Sequence, residues 1–210
     1  YLSSSHNNTI SNFIIDNCSG TNFFGFRLVS STNNVVSDVR VDNNTGASGA
    51  FYAINITGVN NRFTNISIEN NQVLALTTAG YGFYASNAAG TIFENSRVAN
   101  LSAQGITQGI SILGTSANSQ IKNNVIENIR SVSPTATNVG ACGISIAGTA
   151  HTALVANNSI SGIYDGTNKV APAYIPSGIL LAAGTSHQVY SNSISIYGSA
   201  TGANSDPGFS

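Results

Sequence analysis

Carboxylates recur in this chain at a near-constant interval. Asp16, Asp42 and Glu69 stand 26 and 27 residues apart, and the same place in later copies of the pattern is taken by Ala99, Glu127 and Ser161. Two carboxylates brought about 5–10 Å apart can serve as acid and base on a glycosidic bond, which makes Asp42 and Glu69 the catalytic candidates. A row of carboxylate oxygens would also suit Ca²⁺. Unrelieved, such a row repels itself across neighbouring strands. Arg40 lies two residues before Asp42, and Arg97 two before Ala99, so both can neutralise it. An ion-paired surface row is therefore the preferred reading of Asp42, Glu69 and Arg97, and no cofactor is expected.

Other reactive side chains are sparse. His6, His151 and His187 have no Ser or Cys partner at a recognisable spacing. No phosphate loop and no zinc-ligand spacing occurs, so no metal is expected. Tyr81, Tyr84, Tyr164 and Tyr174 fall in or beside the longer variable segments. A tyrosine offers a flat apolar body with a polar tip, which suits a sugar ring. The competing reading packs these rings against the body of the protein, and the absence of Trp favours it.

The carboxylate interval belongs to a larger repeat. An apolar residue, a gap, Asn, two residues and then Ile or Val recur as Ile10…Asn12…Ile15, Val36…Asp38…Val41, Phe63…Asn65…Ile68, Phe93…Asn95…Val98, Ile121…Asn123…Ile126 and Val155…Asn157…Ile160. A weaker seventh copy is Val189…Ser191…Ile194. A fixed period of this size signals a stacked repeat. Val, Ile, Phe, Thr and Ser dominate and polar residues flank the last apolar one, so the unit is strand rather than helix. Five residues separate its two apolar positions, an odd number that would place them on opposite faces of a flat strand. The chain must bend between them, and Asn sits at the bend because it enters the left-handed region cheaply. Asn12, Asn65, Asn95, Asn123 and Asn157 then form one ladder with Asp38. Asn17, Asn43, Asn70, Asn100 and Asn128 form a second that ends at Gly162. A further phrase, Gly-apolar-x-apolar, supplies another strand: Gly25–Leu28, Gly82–Ala85, Gly109–Ile112, Gly143–Ile146 and Gly178–Leu181, with Ala50–Ala53 as the variant.

Three short strands per coil, with each coil stacked on the next, resemble the right-handed parallel β-helix superfamily of pectin lyase-like enzymes, phage tailspikes and surface repeats. The resemblance covers about His6 to Tyr197 and implies an all-β, single-stranded right-handed solenoid of about seven coils. One scaffold hosts many activities. The Asn-Thr-Asp, Asp-Asp, Gly-His-Gly and Arg-Ile-Lys set of polygalacturonases is missing. So are the Asp-Pro-His-Glu run of alginate epimerases and a pectate-lyase Arg-x-x-Arg. Thr-x-Thr ladders of the ice-ordering kind are missing too.

Composition bounds the rest. A solenoid of 210 residues is one domain, 1–210. Only 7% of residues are charged and the formal charge is -1, which excludes a basic stripe for nucleic acid. No apolar run is long enough to span a membrane. Cys18 and Cys142 lie about four coils, roughly 19 Å, apart, too far for a disulfide. No capping helix is legible at either end, so the sequence reads as a piece of a longer chain or a unit that contacts copies of itself. The resulting expectation is an extracellular or cell- or virion-surface structural or adhesive module of the fibre or sheath type. It would self-associate and contact polysaccharide or glycan through loops on one side. The alternative is a polysaccharide lyase or glycoside hydrolase.

Overall fold

β-Branched and aromatic residues set in alternation leave each segment one apolar edge to bury and a row of backbone donors and acceptors to satisfy. Both needs are met by the coil above and the coil below. In the computed structural model, residues 1–76, 78–132, 140–148, 152–165 and 176–196 are described. Among them every strand pairing is parallel, between one coil and the next.

The Gly-apolar phrases build one sheet in chain order. Its seven strands are Leu2–Ser3, Phe23–Val29, Phe51–Ile56, Gly80–Ser86, Thr107–Leu113, Ala141–Ala147 and Ser177–Leu181. The Asn-containing phrases build a second sheet of fifteen strands. It turns at the Asn corner. Thr9–Asp16, Val35–Asp42 and Arg62–Glu69 pass through that corner as single strands. Later coils divide there, for instance into Ser119–Lys122 and Val125–Ser131. The protein is thus an all-β parallel β-helix whose apolar positions stack in register. Ile10, Val36, Phe63, Phe93, Ile121, Val155 and Val189 make one column. Ile15, Val41, Ile68, Val98, Ile126, Ile160 and Ile194 make another. The five inner members of each column are buried.

The corners are made by single left-handed residues. Asn12, Asp38, Asn65, Asn95, Asn123 and Asn157 have φ between 50° and 59°, and Asn17, Asn43, Asn70, Asn100 and Asn128 between 53° and 54°. A third set turns at Asn7, Asn33, Asn60 and Asn118, with Gly90 in the same role. The glycine phrase has a different cause. A Cβ on Gly143 would lie 2.6 Å from the Gly178 carbonyl oxygen and 2.7 Å from Cγ2 of Ile160. The glycines therefore let the seven-stranded sheet close against the Ile/Val column facing it.

The strongest polar ladders stand one residue beyond the corners, where the chain turns inward. Asn44 donates its backbone N–H and its Nδ2 to Asn71 Oδ1, at 3.0 and 3.1 Å. Asn71 Nδ2 donates to the Val41 carbonyl at 3.0 Å. Asn34 and Asn61 repeat this arrangement at the third corner. Asn124, Asn158 and Asn192 repeat it at the first. The two inward slots also exchange character along the axis. After the first corner come Phe13, Val39 and Ile66, then Ser96, Asn124, Asn158 and Asn192; after the second come Asn44 and Asn71, then Leu101, Ile129 and Ile163. Each coil keeps apolar and amide residues at different corners, so its buried amides are met by a like neighbour.

Candidate functional site

Register places the expected carboxylates in one column. Asp16, Asp42, Glu69, Ala99 and Glu127 are successive partners, and Arg40, Ser67 and Arg97 form the column two residues back. From Asp42 to Glu127 the row is met by counter-charges of its own, while Asp16 accepts from the amides of Asn17 and Asn43. Arg40 pairs with Asp42, and Asn70 Nδ2 donates to Asp42 Oδ1 at 2.9 Å. Read from sequence as an outward surface residue, Asp42 is only 1% exposed: these two side chains close over it. Arg97 pairs with both Glu69 and Glu127. It can reach the coil on either side because its own coil carries the small, buried Ala99 at the carboxylate position.

Electrostatics follow from that pairing. The Ser67 hydroxyl, donating at 2.6 Å, holds the Glu69 carboxyl below its ordinary value; burial opposes it and Arg97 reinforces it. A general acid needs the reverse, a carboxyl kept protonated near neutrality. The Asn ladder expected at the first corner bonds along the axis at two places. Asn65 donates to Asp38 and Asn123 to Asn95 at 3.2 Å. At the second corner Asn43 donates to Asp16, Asn100 to Asn70 and Asn128 to Asn100.

A second ionic cluster escaped sequence reading. Arg62 Nε donates to Glu94 Oε1 at 2.7 Å, and Lys122 Nζ lies 3.2 Å from Glu94 Oε2. Burial raises the Glu94 pKa, but the bonds from Arg62 and Lys122 outweigh it and the net direction is down. Glu94 and Lys122 each follow the first apolar residue of their copies and are register partners, so stacking the copies one upon another would have exposed the pair. Among the described residues no three His, Cys, Asp or Glu side chains are grouped to hold a metal ion. Cys18 is exposed and Cys142 buried, both as free thiols, and burial pushes the Cys142 thiol up to about 12.

The aromatic residues form the second feature, on the other sheet. Phe24, Tyr52 and Tyr81 are successive register partners on the outer side of the seven-stranded sheet. Their rings stack, with centroids 5.1 Å apart at both steps and planes 3° and 13° from parallel. Tyr84 meets Tyr52 and Tyr81 edge-on, at 5.0 and 4.9 Å. The Arg27 guanidinium lies 4.6 Å from the Phe24 ring centre. Phe24 is exposed and the three tyrosines are partly so. Burial, followed by the neighbouring phenols, lifts Tyr81 to about 12; burial also raises Tyr52. These hydroxyls therefore remain neutral donors in ordinary buffers.

The structure thus brings Tyr81 and Tyr84 together and adds Phe24, Tyr52 and Arg27, which sequence reading missed. Sequence reading set the variant phrase at Ala50–Ala53, but the register matches Ala53 to Gly25 and Gly82; only with that correction do Phe24, Tyr52 and Tyr81 each immediately precede the Gly or Ala of the phrase. Tyr164 stands apart, in the short strand Tyr164–Asp165 on the fifteen-stranded sheet, with Arg130 6.0 Å from its ring centre. Tyr174, like His151, lies outside the described residues.

Among the described residues no helix is long and apolar enough to cross a membrane. No curated protein matches the chain. A family model described as right handed beta helix region matches residues 43–194, more than two thirds of the 210-residue chain. With coils in register along two parallel sheets and this match over most of its length, the chain belongs to the right-handed β-helix family.

Proposed function

We propose that this chain is a non-catalytic structural or adhesive β-helix module working outside the cytoplasm. Its contact surface is the outer side of the seven-stranded sheet, where it meets glycan. The observation that carries the reading is the partly exposed column Phe24–Tyr52–Tyr81 with Tyr84 at its side. Rigid rings with polar tips form contacts at little cost in conformational entropy. The carboxylates add support from the opposite direction. Asp42 is covered and paired, and Glu69 is clamped by Ser67 and Arg97. Self-association, lateral or end to end, is part of the proposal, because copies held together multiply a weak contact.

The test is a polysaccharide panel scored both for retention of the protein and for new reducing ends or unsaturated products. Tyr52→Ala/Tyr81→Ala should lose retention while Asp42→Asn/Glu69→Gln keeps it, with no product from any form. Product formation by the parent chain that disappears in the carboxylate variant would overturn the proposal in favour of a lyase or hydrolase. Light scattering at rising concentration tests self-association, for which a monomer throughout is the adverse result.

A further inference from the structure

Charge is divided unevenly between the two sheets. Every described carboxylate, from Asp16 to Asp165, lies on a strand of the fifteen-stranded sheet. Arg40, Arg62, Arg97 and Lys122 are ion-paired there. The strands of the seven-stranded sheet carry one charged residue, Arg27. Among the described residues no carboxylate pairs with it, and its Nε is buried without a hydrogen-bond partner. Its guanidinium rests against Phe24, at one end of the aromatic column.

A buried, unmet donor on a fixed cation is unfavourable until an acceptor arrives, and an anionic acceptor meets it best. The described carboxylates all lie on the other sheet, which leaves Arg27 open to an acceptor from outside. We infer that the glycan taken by this face is acidic, with its anionic group on Arg27 and its sugar rings along Phe24, Tyr52 and Tyr81. The inference rests on the glycan-contact reading above and narrows it to one substrate class. A planar guanidinium engages a carboxylate or a sulfate through paired N–H donors, so the shared chemistry is a sugar-borne oxyanion.

The experiment uses polymers matched in backbone and differing in charge: polygalacturonate against its methyl ester, and dextran sulfate against dextran. Affinity electrophoresis of the whole chain reads retention by each. The acidic member of at least one pair should bind about tenfold more tightly, the scale of one charge-assisted hydrogen bond, and the advantage should shrink as salt rises. The two pairs separate a carboxylate from a sulfate. Arg27→Gln should bring the acidic polymer down to its neutral partner, Arg27→Lys should keep part of the preference, and Arg130→Gln, on the other sheet, should keep all of it. Thermal melts confirm that each variant is folded. A preference that persists in Arg27→Gln overturns the inference. So does a parent chain that holds both members equally while Tyr52→Ala/Tyr81→Ala weakens both; in that case the glycan face itself stands. Retention of none of the four polymers by the parent chain would sink both.

Discussion

At the scale of single residues, the chain assigns two jobs to asparagine, and they respond differently to substitution. Asn123 turns the backbone at φ 58°, a conformation glycine adopts freely. Asn124, one residue on, accepts from the Ser96 N–H at 3.0 Å and donates to the Phe93 carbonyl at 3.1 Å, both in the interior. Asn124→Ala should therefore cost about 2–4 kcal/mol by orphaning two buried groups. Asn123→Gly should cost less than about 1 kcal/mol. Urea denaturation of the two variants checks the order, and equal losses would contradict the assignment. The corner was legible in sequence because an odd spacing between apolar residues demands a bend. The buried amide was not legible, because in Asn43-Asn44, Asn70-Asn71 and Asn123-Asn124 the letters are identical and only the left-handed turn decides which one faces inward. Glu69 yields a pH prediction. Its pKa is lowered in the folded state, so the stability it contributes is complete above the ordinary glutamate value of 4.5 and is lost as pH falls through the lowered one. Glu69→Gln should flatten the acid limb of a stability–pH curve and leave its shape above that limb unchanged.

At the scale of strands, the fit between the glycine phrase and the Ile/Val column sets how closely the two sheets approach. Gly143→Ala places a methyl against both the Gly178 carbonyl and the Ile160 side chain and should destabilise by about 1–3 kcal/mol. Ile160→Ala opens a cavity and should cost about 2–5 kcal/mol. Together they should cost less than their sum by about 1 kcal/mol, since removing Ile160 relieves one of the two clashes. Strict additivity would show that the two residues do not meet. The sequence made the glycine phrase readable as a strand because it alternates, but its partner could not be read, since the facing column lies 16 or 17 residues further along the chain in the Gly82–Val98, Gly109–Ile126 and Gly143–Ile160 contacts. Strand stacking also explains the aromatic column. Each parallel ring pair adds about 0.5–1.5 kcal/mol beyond area burial, so the column braces three coils as well as presenting a surface.

At the scale of the whole molecule, the solenoid separates two chemistries that the sequence interleaves. The described carboxylates run up the fifteen-stranded sheet, where Asp42, Glu69, Glu94 and Glu127 are paired with Arg40, Arg62, Arg97 and Lys122, while the aromatic column and Arg27 run up the other sheet. Sequence reading recovered the coils, the register of the Asn-containing phrase and the carboxylate row, because each repeats at one position of the period; it set the glycine-type phrase of the Phe51–Ile56 strand three residues out, on Ala50 instead of Ala53. It did not recover the partition, because a strand alternates inside and outside without stating which of several outer faces a side chain joins. Tyr164 illustrates the point: grouped with Tyr81 by residue type, it belongs to a different sheet. The most direct test of the account is where glycan touches the folded chain. In a sample labelled at tyrosine rings and backbone amides, titration with oligomers of whichever polymer is retained should shift the ring signals of Tyr52, Tyr81 and Tyr84 and leave the amides of Asp42 and Glu69 in place. Shifts centred on Asp42 and Glu69, with the three rings unmoved, would contradict it.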